Sequence, residues 1–278
     1  MPEKDAYAYQ ERKGARKLVD IPREVVDLLQ RGQLQSVNLT EWLAVDHFIL
    51  LQHTLAEFGL QQEGHAMMLR LQDMKETKIM KMIHAIAMEW LQLLNQMPQQ
   101  DRSPIFGALA SHPSDSVRCW AAYIVGLNQR LSIEEKLESI RPFAADGHFG
   151  VREIAWMAVR ESITKELEKS MELLTDWVRD SDANIRRFAI ESTRPVGVWA
   201  KHIQELKANP RLALPLLDVV KSDAAKYVQD SVGNWLNDAS KTNPEWVIQV
   251  CEQWLTDSDT KETRRIVTKA KRSLGKKK

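Results

Sequence analysis

Five short stretches of the chain repeat one phrase: SDSVRCWAAYIV, HFGVREIAWMAV, DANIRRFAIEST, AKYVQDSVGNWL and, more faintly, TKETRRIVTKAK. Aligned on the Val or Ile before the basic or amide residue, they are anchored at Val117, Val151, Ile185 and Val228, with Thr263 as a weak fifth. The spacings are 34, 34, 43 and 35 residues. Each phrase follows an Asp-rich turn, and the intervals hold a second helical segment such as EEKLESIRPFAA or KSMELLTDWVRD. A period of this size is the signature of paired helices stacked as a solenoid, because neither helix of a pair buries its apolar face alone. A sheet finds no support, since Pro and Gly number only 10 and 11 and no stretch alternates apolar and polar residues for long. The expected fold is all-α, a right-handed α-solenoid of HEAT-like helical repeats, read as one domain over 1–278. Its parts are an N-terminal cap or divergent repeats (1–103), the HEAT-like block (104–270) and a basic tail (271–278).

Composition narrows the function classes. Hydrophobic residues at 44% and charged residues at 28% fit a folded chain. No apolar run reaches the roughly 18 residues needed to span a bilayer, which predicts a soluble protein with no membrane partner. The N-terminal MPEKDAYAYQERKGARK has no apolar segment of the kind a secretion signal needs. Cys119 and Cys251 lie in helical patterns without CxxC spacing, which suits a reducing, cytoplasmic setting. There is no HExxH, no zinc-like His/Cys/Asp spacing, no GxGxxG, no Walker A loop and no GxSxG, so neither metal nor cofactor is expected. With a net charge of +1, an anionic partner must meet a local patch, and the tail KAKRSLGKKK is one candidate.

Placing the repeats in register separates structural from chemical positions. Positions 0, +3, +4 and +7 are mostly apolar, as a buried stripe requires. Position +1 holds Arg118, Arg152, Arg186 and Gln229, expected to form a ladder with turn aspartates such as Asp115, Asp182 and Asp223. Positions +2 and +6 share one side of the helix. In the four clear repeats this column reads Cys119 and Tyr123, Glu153 and Met157, Arg187 and Glu191, Asp230 and Asn234. Trp156 adjoins it at +5, and Trp120 precedes it at +3 of the first repeat. Three carboxylates in one column are unusual for a solvated face. The 43-residue interval carries ESTRPVGVWAKHIQELK, in which Pro195 and Gly197 end the helix early and place Arg194 and Trp199 on a connection. His148, before the Glu153 helix, is expected to cap or pack.

Three segments, HFGVREIAW (148–156), NIRRFAIESTRPVGVW (184–199) and YVQDSVGNWLNDASKTNPEWV (227–247), resemble the bacterial DNA alkylation repair glycosylases of the AlkC and AlkD type. The resemblance covers about 104–270 and is nearer to AlkC, in the shorter form that lacks an immunoglobulin-like domain. It implies hydrolysis of the N-glycosidic bond of cationic alkylated bases such as 3-methyladenine in double-stranded DNA, as base excision repair, without full base flipping. It places the catalytic carboxylate at Glu153, where AlkD-like members hold Asp, with Glu191 and Asp230 as secondary candidates in the same column. Trp156, Arg187, Arg194, Trp199, Asn234, Trp120 and Tyr123 become candidate DNA or substrate contacts. Asn234 stands where the AlkD type has tryptophan. The chain is expected to act as a monomer. The rival expectation is a non-catalytic HEAT-repeat scaffold that binds DNA or protein, since a fold does not settle a function.

Overall fold

The computed structural model describes residues 9, 11–74, 78–197 and 199–274. Within these the chain is all-α: sixteen α-helices and two short 3-10 turns, with no strand. We number the helices α1 (Arg23–Gln30), α2 (Leu39–Ala44), α3 (His47–Glu57), α4 (Gln61–Asp73), α5 (Ile79–Gln96), α6 (Gln99–Ala110), α7 (Asp115–Leu127) and α8 (Ile133–Ala144). There follow α9 (Phe149–Lys165), α10 (Leu167–Trp177), α11 (Ala183–Ser192), α12 (Gln204–Ala208), α13 (Leu214–Val219), α14 (Lys226–Ala239), α15 (Pro244–Asp257) and α16 (Lys261–Ala270). No helix among the described residues is long and apolar enough to cross a membrane. Of the basic tail, residues 275–278 lie outside the described residues.

The chain forms two compact units, Met1–Arg130 with Gly147–Ala155, and Leu131–Asp146 with Trp156–Lys278. The division falls inside α9 and inside the repeat block, not at residue 103. In the first unit α5 packs on α7, and Trp90, Ile83, Ile86 and Trp120 are fully buried. Trp120 donates its indole N–H to His47 Nδ1 at 3.0 Å, which leaves the imidazole proton on Nε2. Burial pushes the His47 pKa down to about 4, against the pull of Asp46, so the ring is neutral near pH 7. Trp120 is therefore a core residue, and the expectation that it contacts DNA is corrected by its burial.

The helix starts in both units show why the repeat is visible in sequence. Each of the five anchors is the third residue of its helix: Val117 in α7, Val151 in α9, Ile185 in α11, Val228 in α14 and Thr263 in α16. All five are buried. Helices α11, α14 and α16 form one layer, with α14 packed against both of the others, while α10 and α15 pack onto α11 and α16. Gly233 makes the close approach of α14 to α16 possible, because a Cβ there would stand 2.8 Å from the Cβ of Lys269. Trp235 fills the layer from α14, donating to the Thr193 carbonyl at 3.0 Å and meeting Trp246 edge-on at 6.2 Å.

The +1 side chains perform one repeated task. Arg118 donates to the carbonyls of His112 and Pro113, Arg152 to Gly147, Arg186 to Asp180 and Ser181, and Gln229 to Asp223 and Ala224. Each closes carbonyls five or six residues earlier, in the turn before its own helix. The expected aspartate rung is realised by Arg186, which grips both oxygens of Asp223 at 2.6 and 2.9 Å. Asp182 accepts from the Asn184 amide and caps its own helix.

Candidate functional site

The first turn of α9, which carries Glu153, is fixed by a buried cluster. His148 Nδ1 accepts the Gly150 amide at 3.1 Å, and Nε2 donates to the Ser36 carbonyl at 2.7 Å. Asp115 accepts the Ser36 amide at 2.9 Å and the Ser36 hydroxyl at 2.8 Å. The serine proton is thus directed to the aspartate, so this trio ties residue 36 to the starts of α7 and α9 and activates no nucleophile. His148 caps its helix, as its position suggested. Gly150 leaves room for this packing, since a Cβ would lie 3.1 Å from the Trp42 indole nitrogen and 3.2 Å from the His148 ring, tighter than ordinary contact.

From this turn α9 presents two half-buried side chains one helical turn apart. They are Phe149, whose ring lies 4.5 Å from that of His148, and Glu153. At i and i+4 they share one side of the helix. An aromatic face beside a carboxylate is a suitable lining for a cationic ring or an electron-poor sugar. Sequence reading passed over Phe149 because it precedes the anchor. Its four-residue spacing from Glu153 was the available signal.

The other two column acids lie in the second unit, in different surroundings. Glu191 is 3% exposed. It accepts from Arg194 at 3.0 Å and from the Ser231 hydroxyl at 2.6 Å, with Arg187 at 3.7 Å. Burial opposes its ionisation, but the charges of Arg187 and Arg194 and the serine bond outweigh that and hold its pKa below the ordinary carboxylate value. Arg194 is also held by Asp238 at 2.6 and 3.0 Å, and Asp238 accepts from Lys241 at 2.8 Å. Burial works against the Arg194 charge and is likewise outweighed, here by Glu191 and Asp238, so its pKa rises. The Arg187 guanidinium lies 4.2 Å from the centre of the Tyr227 ring. Glu191 thus lies buried in a charge network, and Arg194 spends its donors inside the protein, at positions where a catalytic acid and a phosphate contact were expected.

Asp230, with its side chain 36% exposed, is bridged by Arg265 and Lys269. Burial raises its pKa, but the hydrogen bonds and charges of the two cations together override it, so the net shift is downward. These cations occupy positions +2 and +6 from Thr263, so the fifth repeat supplies the counter-charges of the fourth. Asn234 is half-exposed one turn beyond Asp230. Trp156 is 3% exposed, with the Arg160 guanidinium 5.7 Å from its ring centre, so it is packed and not open for stacking on a base. Tyr123 is half-buried against His84, and burial, helped by Cys119, pushes its pKa up to about 12. Trp199 is 64% exposed. Among the described residues no group of His, Cys, Asp or Glu is arranged to hold a metal ion.

The segment from Val151 onward, with Glu153 near its start and the Glu191 and Asp230 networks inside it, is also the part that a family model matches. Residues 151–273 match the DNA alkylation repair enzyme family. The uncharacterised protein YhaZ of Bacillus subtilis is 36% identical over 117 residues, 42% of this chain and 32% of YhaZ. Among solved structures, the alkylpurine DNA glycosylase AlkC of Pseudomonas fluorescens, bound to DNA containing an abasic site analogue, superposes with a TM-score of 0.64 at 23% identity. That superposition covers 81% of this chain and 61% of AlkC. AlkD2 of Streptococcus mutans superposes with a TM-score of 0.57 at 23% identity, over 73% of this chain and 95% of AlkD2. The chain spans about a third of YhaZ and less than two thirds of AlkC. The likeness to the solved structures is one of fold.

Proposed function

We propose that the chain is a DNA glycosylase that removes cationic N-alkylated bases, of the 3-methyladenine kind, from double-stranded DNA, with Glu153 as the acting carboxylate. The observation that carries the assignment is the setting of Glu153, half-buried on the same side of α9 as the Phe149 ring and on a helix start held by the His148 cap. The family match over 151–273 supports the reading, as does the likeness of fold to a glycosylase captured on DNA.

A base that already carries positive charge leaves readily. The bond between sugar C1′ and the base nitrogen breaks with its electron pair passing to the base, which becomes neutral. The sugar develops oxocarbenium character, and a nearby carboxylate stabilises that charge. Water adds to C1′, and the carboxylate orients it and takes its proton. The products are the free alkylated base and an abasic site. No step calls for a cofactor.

A scaffold that holds DNA without cutting it is favoured by one fact: with Glu191 and Asp230 engaged in structural networks, a column of acids no longer argues by itself for chemistry. Base release from duplex DNA methylated on purine nitrogens separates the two. We expect release by the wild-type chain, and a loss of about 100- to 1,000-fold in Glu153→Gln, the usual scale for one electrostatic group. Unchanged release by the variant removes Glu153 from its role, and no release by the wild type favours the scaffold.

A further inference from the structure

Eight of the nine tryptophans, at positions 42, 90, 120, 156, 177, 235, 246 and 254, are at most 6% exposed, and the ninth, Trp199, is 64% exposed. It sits on the connection between α11 and α12, whose base is held with unusual thoroughness. The buried Arg160 donates to the carbonyl of Ser192 at 2.9 Å, of Lys201 at 2.9 Å and of Arg194. The Ile203 amide closes onto the Pro195 carbonyl at 3.1 Å, and Trp235 holds the Thr193 carbonyl. Arg194 is locked between Glu191 and Asp238. Both ends of the loop are therefore fixed before anything binds.

The tip is strained. Trp199 has φ of 60°, the left-handed region, and among the described residues it is the sole non-glycine with positive φ. At Gly197 a Cβ would stand 2.6 Å from the Ala200 carbonyl oxygen, so the turn admits no side chain there. A bulky residue in a disfavoured conformation, with its ring turned to solvent, is destabilising for the free protein, and such outliers concentrate at binding sites. Indole left in water calls for a partner that offers a flat apolar face. The chemistry around it indicates which. Between Ser192 and Gln204 the chain carries Arg194, Lys201 and His202 and no acid, and Lys201 and His202 are exposed. An aromatic ring flanked by basic side chains is how proteins stack on nucleobases while meeting the phosphates beside them.

We propose that Trp199 is a preformed stacking probe for a nucleobase that has lost its own stacking partner in duplex DNA, with Lys201 and His202 against the adjoining backbone. This rests on the DNA reading above. Intact duplex offers no free base face. A duplex with a missing base does, on the bases that flank the gap in the same strand.

The test uses the full 278-residue chain, two matched labelled duplexes, one intact and one with a tetrahydrofuran abasic analogue, and 2-aminopurine placed next to the analogue in the same strand. The wild type is expected to bind the abasic duplex more tightly than the intact one and to quench 2-aminopurine by stacking. Trp199→Ala should lose that preference by about 5- to 100-fold, the scale of one base–aromatic stack, and should lose the quenching. Trp199→Phe should keep most of both. As the side chain is exposed, the variants should melt with the wild type, which circular dichroism checks. If Trp199→Ala keeps the preference and the quenching, or the wild type binds both duplexes equally without quenching, the stacking role is refuted while the DNA reading stands. If the wild type binds neither duplex even at low salt, both fall together.

Discussion

Glu191 offers the sharpest separation between a structural and a catalytic acid. Replacing it with Gln keeps the volume and removes the charge. The Ser231 hydroxyl then donates to a neutral amide, Arg194 retains Asp238 but loses one of two carboxylates, and Arg187 loses its 3.7 Å neighbour. A bond to a charged group contributes about 1.5–3 kcal/mol and a neutral one about 0.5–1.5. The loss for the pair of short contacts is then about 1–3 kcal/mol at pH 7. The pH dependence follows from the direction of the shift. With the folded pKa of Glu191 below its unfolded value of about 4.3, its contribution is complete above that value and disappears as pH falls through the folded pKa. Urea unfolding of wild type and Glu191→Gln should therefore differ at pH 7 and converge under strong acid. Base release, measured well below the melting transition, should fall far less than in Glu153→Gln. Equal stabilities at pH 7, or a gap that persists unchanged at acid pH, would refute the network reading. A loss of base release as large as that of Glu153→Gln in a fully folded variant would return Glu191 to the catalytic candidates.

Trp235→Ala empties the layer between α11 and α14 and leaves the Thr193 carbonyl without its indole partner. A cost of about 3–5 kcal/mol is expected, read as a lowered urea midpoint. Asp230→Asn breaks bridges whose partners are partly exposed, so solvent screening limits the effect to at most about 1 kcal/mol, shrinking further with added salt.

The repeat was legible because its physical cause is local. A buried residue two places into each helix, followed by a donor that closes the preceding turn, leaves the same trace in sequence wherever it occurs, and Val117, Val151, Ile185 and Val228 all carry it. Pro195 and Gly197 correctly marked the early end of α11 at Ser192. The column of acids was legible as a pattern but not as a set of environments. Whether a carboxylate is open to water depends on side chains from other repeats: Ser231 and Arg194 for Glu191, Arg265 and Lys269 for Asp230. The fifth repeat was faint and was left out of the column, so its cations were not counted against the fourth. Trp156 occupied a position adjacent to both groove and core, and only the packing around it chose between them. The union of Ser36, Asp115 and His148 spans 112 residues and has no sequence signal, because each member is an ordinary turn or cap residue when seen alone.

The donors that follow the anchors have a consequence for how such a chain changes length over evolutionary time. Arg118, Arg152, Arg186 and Gln229 reach carbonyls within their own repeat, so every turn is sealed without help from its neighbour. Extra residues can then be accepted between one repeat and the next without unsealing either turn. The long third interval, which holds the loop of Trp199, is what such tolerance allows: a surface element at a joint whose flanking turns each close on their own repeat.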